Sequence, residues 1–351
     1  MSQFKNVRLL KGEVSLLLDK RAAKVFIIMV LVASVVFILS TAFGDMNISP
    51  LSVLQVFFGG GTEMEQLVIT SFRLPRIIVA LMVGISLAIA GGILQGIIRN
   101  PLASPDILGI TGGASVAVVG FLAFFSDDNN ALTVSIEWMP LAAFAGAGVI
   151  AILVYLLAWK NGVSPIRLVL IGIGISTLMQ AFTTLMMILG PIYRASQANI
   201  WITGTVHGST WANVSILVPW TVLFVTVALI MARKLNVQEL GDEIATGVGG
   251  HVQRQRFSLL MISTALIGSS VAFAGGIGFV GLMAPHMARR LVGSSFGALL
   301  PVSALIGGIL VMVADLVGRT LFSPLEIPAG VFTAGIGAPY FIYLLFKTRN
   351  S

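Results

Sequence analysis

The stretch IIVALMVGISLAIAGGILQGII, residues 77–98, runs for 22 residues without a charge. A helix of that length covers the hydrocarbon of a bilayer, which takes roughly 20 apolar residues for about 30 Å. RLPR (73–76) stands before it and RNPLASPDILG (99–109) after it. Cations thus mark both ends, where a spanning helix meets the headgroups.

The rest of the chain has the same character. Hydrophobic residues make up 57% of its 351 residues and charged ones only 10%, with a mean hydropathy of +0.99. That is more apolar surface than a water-soluble core can hide. The fold expected is an all-α polytopic membrane protein with about ten transmembrane helices. They fall at 24–44, 74–98, 108–126, 139–159, 166–190, 212–232, 257–276, 281–291, 298–317 and 329–347. The eighth is too short to span alone. Runs of this length without β alternation favour helices over a barrel, whose strands need only about 10 residues each.

Lysine and arginine set the orientation. With both termini cytoplasmic, 17 of the 21 fall inside, and only Arg73, Arg76, Arg194 and Arg319 fall outside. This is a strong positive-inside bias. The net charge of +7 therefore reflects topology and contact with anionic membrane lipid, not nucleic acid.

Most catalytic and cofactor chemistry is missing. There is no cysteine, and His207, His251 and His286 lie in separate segments with no ligand-spaced pair, so no metal site is expected. Gly-Lys never occurs, so there is no phosphate loop of the GxxxxGK[ST] type. No serine, histidine and aspartate arrangement is evident, and no catalytic residue is assigned. Ionisable residues within the spans are scarce, Asp315 being the clearest, which argues against a proton-driven carrier.

An internal repeat is also expected. A shift of 184 residues matches Gly84, Ser86, Ala88, Ala90, Gly91, Gly92, Ile93, Pro101 and Gly109 with Gly268, Ser270, Ala272, Ala274, Gly275, Gly276, Ile277, Pro285 and Gly293. The matching helices, second and seventh, cross in opposite directions on this map. That makes the repeat inverted, an organisation common in transporters.

Four landmarks carry a family resemblance: RLPR; AGGILQGIIRNPLASPDILGITGGAS; LGDEIATGVGGHVQRQR; and GGIGFVGLMAPHMARRLVG with ADLVGR and LEIPAGVFTAGIGAPYF. Together they resemble the permease subunit of FecCD-type ABC importers, which carry ferric siderophores, haem and cobalamin. The resemblance implies a bacterial cytoplasmic-membrane protein forming one permease domain over residues 1–351. Its implied partners are a second permease subunit, two ATPase subunits holding ATP and Mg, and an extracytoplasmic substrate-binding protein. No cofactor is implied on this chain.

Residue by residue, the resemblance implies three sites. Arg73, Arg76 and Arg319 match arginines that dock the binding protein. The polar segment 236–256 is similar to the coupling helices that seat in the ATPase, with Glu239, Leu240, Gly241, Asp242, Glu243, Gly249 and Arg254 as its contact residues. The fifth helix would line the path, with Ser176, Thr177, Met179 and Gln180 as wall residues. A ferric siderophore is the expected cargo; cobalamin or haem is the alternative within the family, and an autonomous secondary transporter the alternative outside it.

Overall fold

The computed structural model describes residues 4–9, 14–125, 133–160, 162–189 and 192–348. Seven of its helices are long and apolar enough to cross a membrane. The membrane-crossing set begins with α1 (Lys20–Ala42), capped by the Asp19 carboxylate. Short helices α2 (Pro50–Phe57) and α3 (Glu63–Leu67) follow, and a π turn at 68–73 runs α3 directly into α4 (Leu74–Ile98). After a 3₁₀ turn at Pro105–Leu108 come α5 (Ile110–Phe124), α6 (Met139–Ala158), α7 (Pro165–Leu189) and α8 (Ile192–Thr203). The rest is α9 (Trp211–Glu239), α10 (Asp242–Gly247), α11 (Val252–Ala274), α12 (Val280–Val292), α13 (Phe296–Thr320) and α14 (Ala329–Thr348).

The polytopic helical expectation holds, with corrections. An antiparallel β pair, Phe4–Leu9 with Val14–Asp19, precedes α1, outside the helical bundle. The span expected from 108 starts at Ile110, because the 3₁₀ turn takes its first residues, and at 15 residues α5 is short for a crossing. The far ends of the 108–126 and 166–190 spans, and the side chain of Arg194, lie outside the described residues. At 12 and 8 residues, α8 and α2 are too short to cross.

Helix α4 is apolar all round and buried on most of its surface, as is α11, whereas α1, α7 and α9 leave most of theirs exposed. A helix without a polar face belongs inside a bundle or in lipid, and α4 takes the inside place against α13, α11, α9 and α12. Lipid gives apolar helices no reason to associate, so close packing through small residues must do so. Gly84 meets Gly307 of α13 backbone to backbone, and Gly91 meets the carbonyl of Gly281 in α12. Pro285 has no N–H to give the carbonyl four residues before it, so the Gly281 oxygen is free to point at α4.

α4 and α11 run antiparallel. The end of α4 (Arg99) and the start of α11 (Arg256) both reach Asp242, whereas Arg76 near the other end of α4 approaches His207, close to where Ala274 at the end of α11 accepts from Thr205. The matched segments differ locally: Gly91 and Gly92 lie inside α4, but Gly275 ends α11.

Candidate functional site

The bundle carries a polar cluster at each end. At one end the last carbonyls of α1 have no helical donors, as at every helix C-terminus. Arg73 donates to the oxygens of Thr41 at 2.7 Å and Ala42 at 2.8 Å and also to that of Met46, while Arg319 donates to that of Ser40. Positive charge suits this end of the helix dipole. Both arginines are buried, at 7% and 6% exposure. They are spent on α1 within the chain.

Arg76 is differently placed. Its Nε and terminal nitrogens hold Asp315 at 3.0 and 2.8 Å, and its other terminal nitrogen reaches Glu326 at 3.0 Å. Asp315, 3% exposed, also sits 3.5 Å from Arg319. Glu326 lies beside His207 at 2.6 Å. Burial works against the Glu326 charge, yet the hydrogen bond and charge of Arg76, with His207, hold its carboxyl below the usual range. These groups line an open cavity of about 610 Å³ bounded by Arg73, Arg76, His207, Arg319, Glu326 and Asp45. The three arginines read from the sequence therefore share one site.

At the opposite end α10 forms a short helix between two turns. Gly241 has φ 123° and Gly249 φ 84°, with open space where a side chain would stand. Backbone conformation, not crowding, demands glycine at both. Asp242 opens α10 and is the junction of the network. It accepts from buried Arg256 of α11 at 2.9 Å and from Arg99, just past the end of α4. Arg99 also donates to the Gln238 carbonyl at 2.8 Å, and Arg256 to that of Val163. Burial raises the cost of the Asp242 charge, but Arg256 and Arg99 outweigh it and hold the carboxyl below its ordinary range.

The rest of the segment divides between anchoring and display. Glu239 pairs with Arg289 of α12 at 3.0 Å, and Ala245 is buried. Leu240, Ile244 and Val248 are exposed, at 64%, 53% and 69%. Only Ile244 lies within α10; Leu240 closes α9 before the Gly241 turn and Val248 follows the last residue of α10, so the three are exposed apolar residues around this short helix. Glu243 and Arg254 are exposed beside them. Arg256 falls within the coupling segment read from the sequence, but Arg99 and Arg289 were not among the site residues; the one local sign was that each sits at a helix end.

Replacing Gly249 with alanine is expected to strain the turn by about 1 kcal/mol, the cost of placing a Cβ in the left-handed region. The chain should still fold, with α10 displaced. Thermal melting of the purified chain checks the first statement and protease accessibility of 236–256 the second.

The four candidate wall residues on α7 do not share a face. Thr177 and Gln180 are exposed, and Thr184 continues their polar stripe. Ser176 turns toward the 3₁₀ segment, donating to the Asp106 carbonyl at 3.1 Å. Met179 is 8% exposed and faces α5, 3.0 Å from where a Cβ on Gly112 would lie. It is a packing residue in this chain.

The profile of the FecCD transport family matches residues 31–347. A probable siderophore transport system permease protein, YfhA of Bacillus subtilis (strain 168), is 59% identical over 95% of this chain and 97% of its own length. The iron(3+)-hydroxamate import permease FhuG of the same organism is 46% identical over 90% of this chain and 94% of its own. Among solved structures, a metal-chelate type ABC transporter in an inward-facing conformation superposes with a TM-score of 0.82 at 30% identity, covering 93% of this chain and 99% of that one.

Proposed function

The chain belongs to the FecCD transport family, and from that premise we propose that it is the permease of a binding-protein-dependent ABC importer carrying a ferric siderophore into a bacterial cell. It is a transport subunit and not itself an enzyme. The observation that carries the cargo is the 59% identity with a siderophore permease along almost the whole of both chains. ATP is hydrolysed on two separate ATPase subunits, and a second permease copy or paralogue completes the path.

The coupling-loop end faces the cytoplasm in this reading, as the positive-inside bias requires. The exposed apolar residues Leu240, Ile244 and Val248 seat in the ATPase, and motion of α10 passes to α4, α11 and α12 through Arg99, Arg256 and the Glu239–Arg289 pair. Two halves related by inverted repeat rock about α4 and α11, whose antiparallel packing fits that symmetry. Thr177 and Gln180 face the path. Capture affinity resides in the binding protein, because a wall that held the cargo tightly would slow its release.

The arginine cavity receives an acidic group of the binding protein. Arg76 is the residue whose partner can exchange, since Glu326 is one-third exposed, whereas Arg73 and Arg319 hold α1. Arg76→Ala should weaken binding-protein association with the assembled importer at least about tenfold, in the range for truncating a desolvated charge pair. Arg73→Ala should instead lower the melting temperature. Surface-bound importer titrated with binding protein reads the first, and unchanged affinity for Arg76→Ala refutes the docking role.

Purification of the tagged chain from native membranes in mild detergent tests the assembly. An ATPase in equal amount, one or two permease species and a binding protein are expected. A chain recovered alone from a monodisperse sample would favour an autonomous carrier.

A further inference from the structure

We propose that Asp106 lies on the water-filled wall of the translocation path at mid-membrane and gives it a cation-favouring charge, so that chelates with a neutral or positive surface cross more readily than polyanionic carboxylate chelates. This deepens the permease reading and rests on it. Three contacts fix the depth of Asp106. Ser176 bonds its carbonyl, Gly278 lies beside its carboxylate with a Cβ there 3.9 Å from Oδ2, and neighbouring Pro105 packs against Gly281. Ser176 is about 14 Å along α7 from Arg167, and Val280, which opens α12 two residues after Gly278, is about 14 Å from Arg289, at the helical rise of 1.5 Å per residue. Arg167 and Arg289 both stand at the coupling-loop end. Two helices therefore place Asp106 close to halfway through about 30 Å of hydrocarbon.

At that depth the residue is exposed on this subunit, although the surrounding helices closely enclose its carboxylate. Its hydrogen-bond partner is Thr111, and among the described residues no basic side chain faces it. A carboxylate at the middle of a bilayer cannot face lipid; such groups turn to a protein interior or a water-filled cavity. The surface bearing Asp106 is thus a wet surface, and Gln180, one turn from Ser176 on the same exposed helix, shares it. The other polar side chains there, Ser176, Thr177 and Gln180, carry no charge, so Asp106 sets the sign of the local field. A chelate that presents carboxylates meets repulsion, and one that presents amides, hydroxyls or ammonium groups meets a hydrogen-bond acceptor.

The chain has no cysteine, so an introduced thiol is its sole target. With Gln180→Cys in the assembled importer in vesicles, modification by methanethiosulfonates bearing trimethylammonium or sulfonate is followed by mass on this chain. Both reagents should react, and the ratio of cationic to anionic rates should fall about fivefold on adding Asp106→Asn, the effect of removing one charge about 8 Å away in a watery medium. Asp106→Glu should retain the ratio. A thiol inert to both reagents, or a ratio that Asp106→Asn leaves unmoved, overturns the proposal. ATP-driven uptake by the parent chain in the same vesicles tests the permease reading separately; if uptake proceeds and the ratio does not move, the Asp106 assignment alone falls.

Discussion

Replacing Gly91 with valine is expected to abolish the folded chain. The Cβ of any residue larger than glycine would stand inside the carbonyl of Gly281, with backbone and not a flexible side chain as its neighbour. α12 cannot retreat freely, because a Cβ on Gly281 would itself stand 2.9 Å from the Leu87 carbonyl and from Pro105. Overpacking of ordinary cores costs about 1–3 kcal/mol, and a clash between two backbones inside a bundle belongs at or above the top of that range. Gly91→Ala should already lower the yield of monodisperse protein, and Gly91→Val should remove it. Size-exclusion profiles of detergent-solubilised variants read this directly, and a normal profile for Gly91→Val would contradict the packing described for α4.

The second large effect is expected at Asp242. Asp242→Ala leaves Arg256, 1% exposed, without its counter-ion. Breaking a fully buried pair costs about 3–5 kcal/mol, but the Asp242 side chain is 40% exposed, so water screens the loss toward about 1–3 kcal/mol. The functional loss should be larger. With Arg99 and Arg256 released, α10 is no longer tied to α4 and α11, and the assembled importer should hydrolyse ATP with little uptake. Undiminished uptake per ATP would count against transmission through Asp242.

The same residue sets a pH limit. The Asp242 carboxyl titrates below its ordinary value in the folded chain, so its pairs stabilise the loop fully above the unfolded value of about 3.9. That contribution is lost as pH falls through the lower folded value. Asp242→Asn should reproduce at neutral pH the loosened loop that the parent shows only in acid. Protease accessibility of the loop against pH checks it.

Seven of the ten expected spans were legible because hydropathy and length suffice for them, whatever face each helix presents. Which face of α7 is buried was not legible. That helix carries a polar stripe of Thr177, Gln180 and Thr184, but in a membrane either a polar or an apolar face can turn to protein, and what draws Met179 inward is Gly112 of α5. Arg73, Arg76 and Arg319 drew notice by defying the positive-inside bias, but their partners could not be read. The Thr41 and Ser40 carbonyls lie 32 and 279 residues away along the chain, and no local pattern encodes such a pairing. Gly241 and Gly249 were readable because a turn's demand on its own backbone is local. Arg99 was not, since its partner Asp242 is 143 residues distant.

The arginine clamp on α1 bears on how the chain is made. α1 leaves the ribosome before the groups that close its C-terminal end, Arg73 following Thr41 by 32 residues and Arg319 following Ser40 by 279. Until then α1 must reside in lipid as an independent segment. Its sequence permits this, since it exposes Phe26, Ile27, Leu31 and Val35 on more than one side and buries little against its neighbours. Synthesis and assembly are thereby separated in time: α1 is inserted long before it is fully locked, and a chain truncated before Arg319 would enter the membrane with the Ser40 carbonyl at that end of α1 still unfastened.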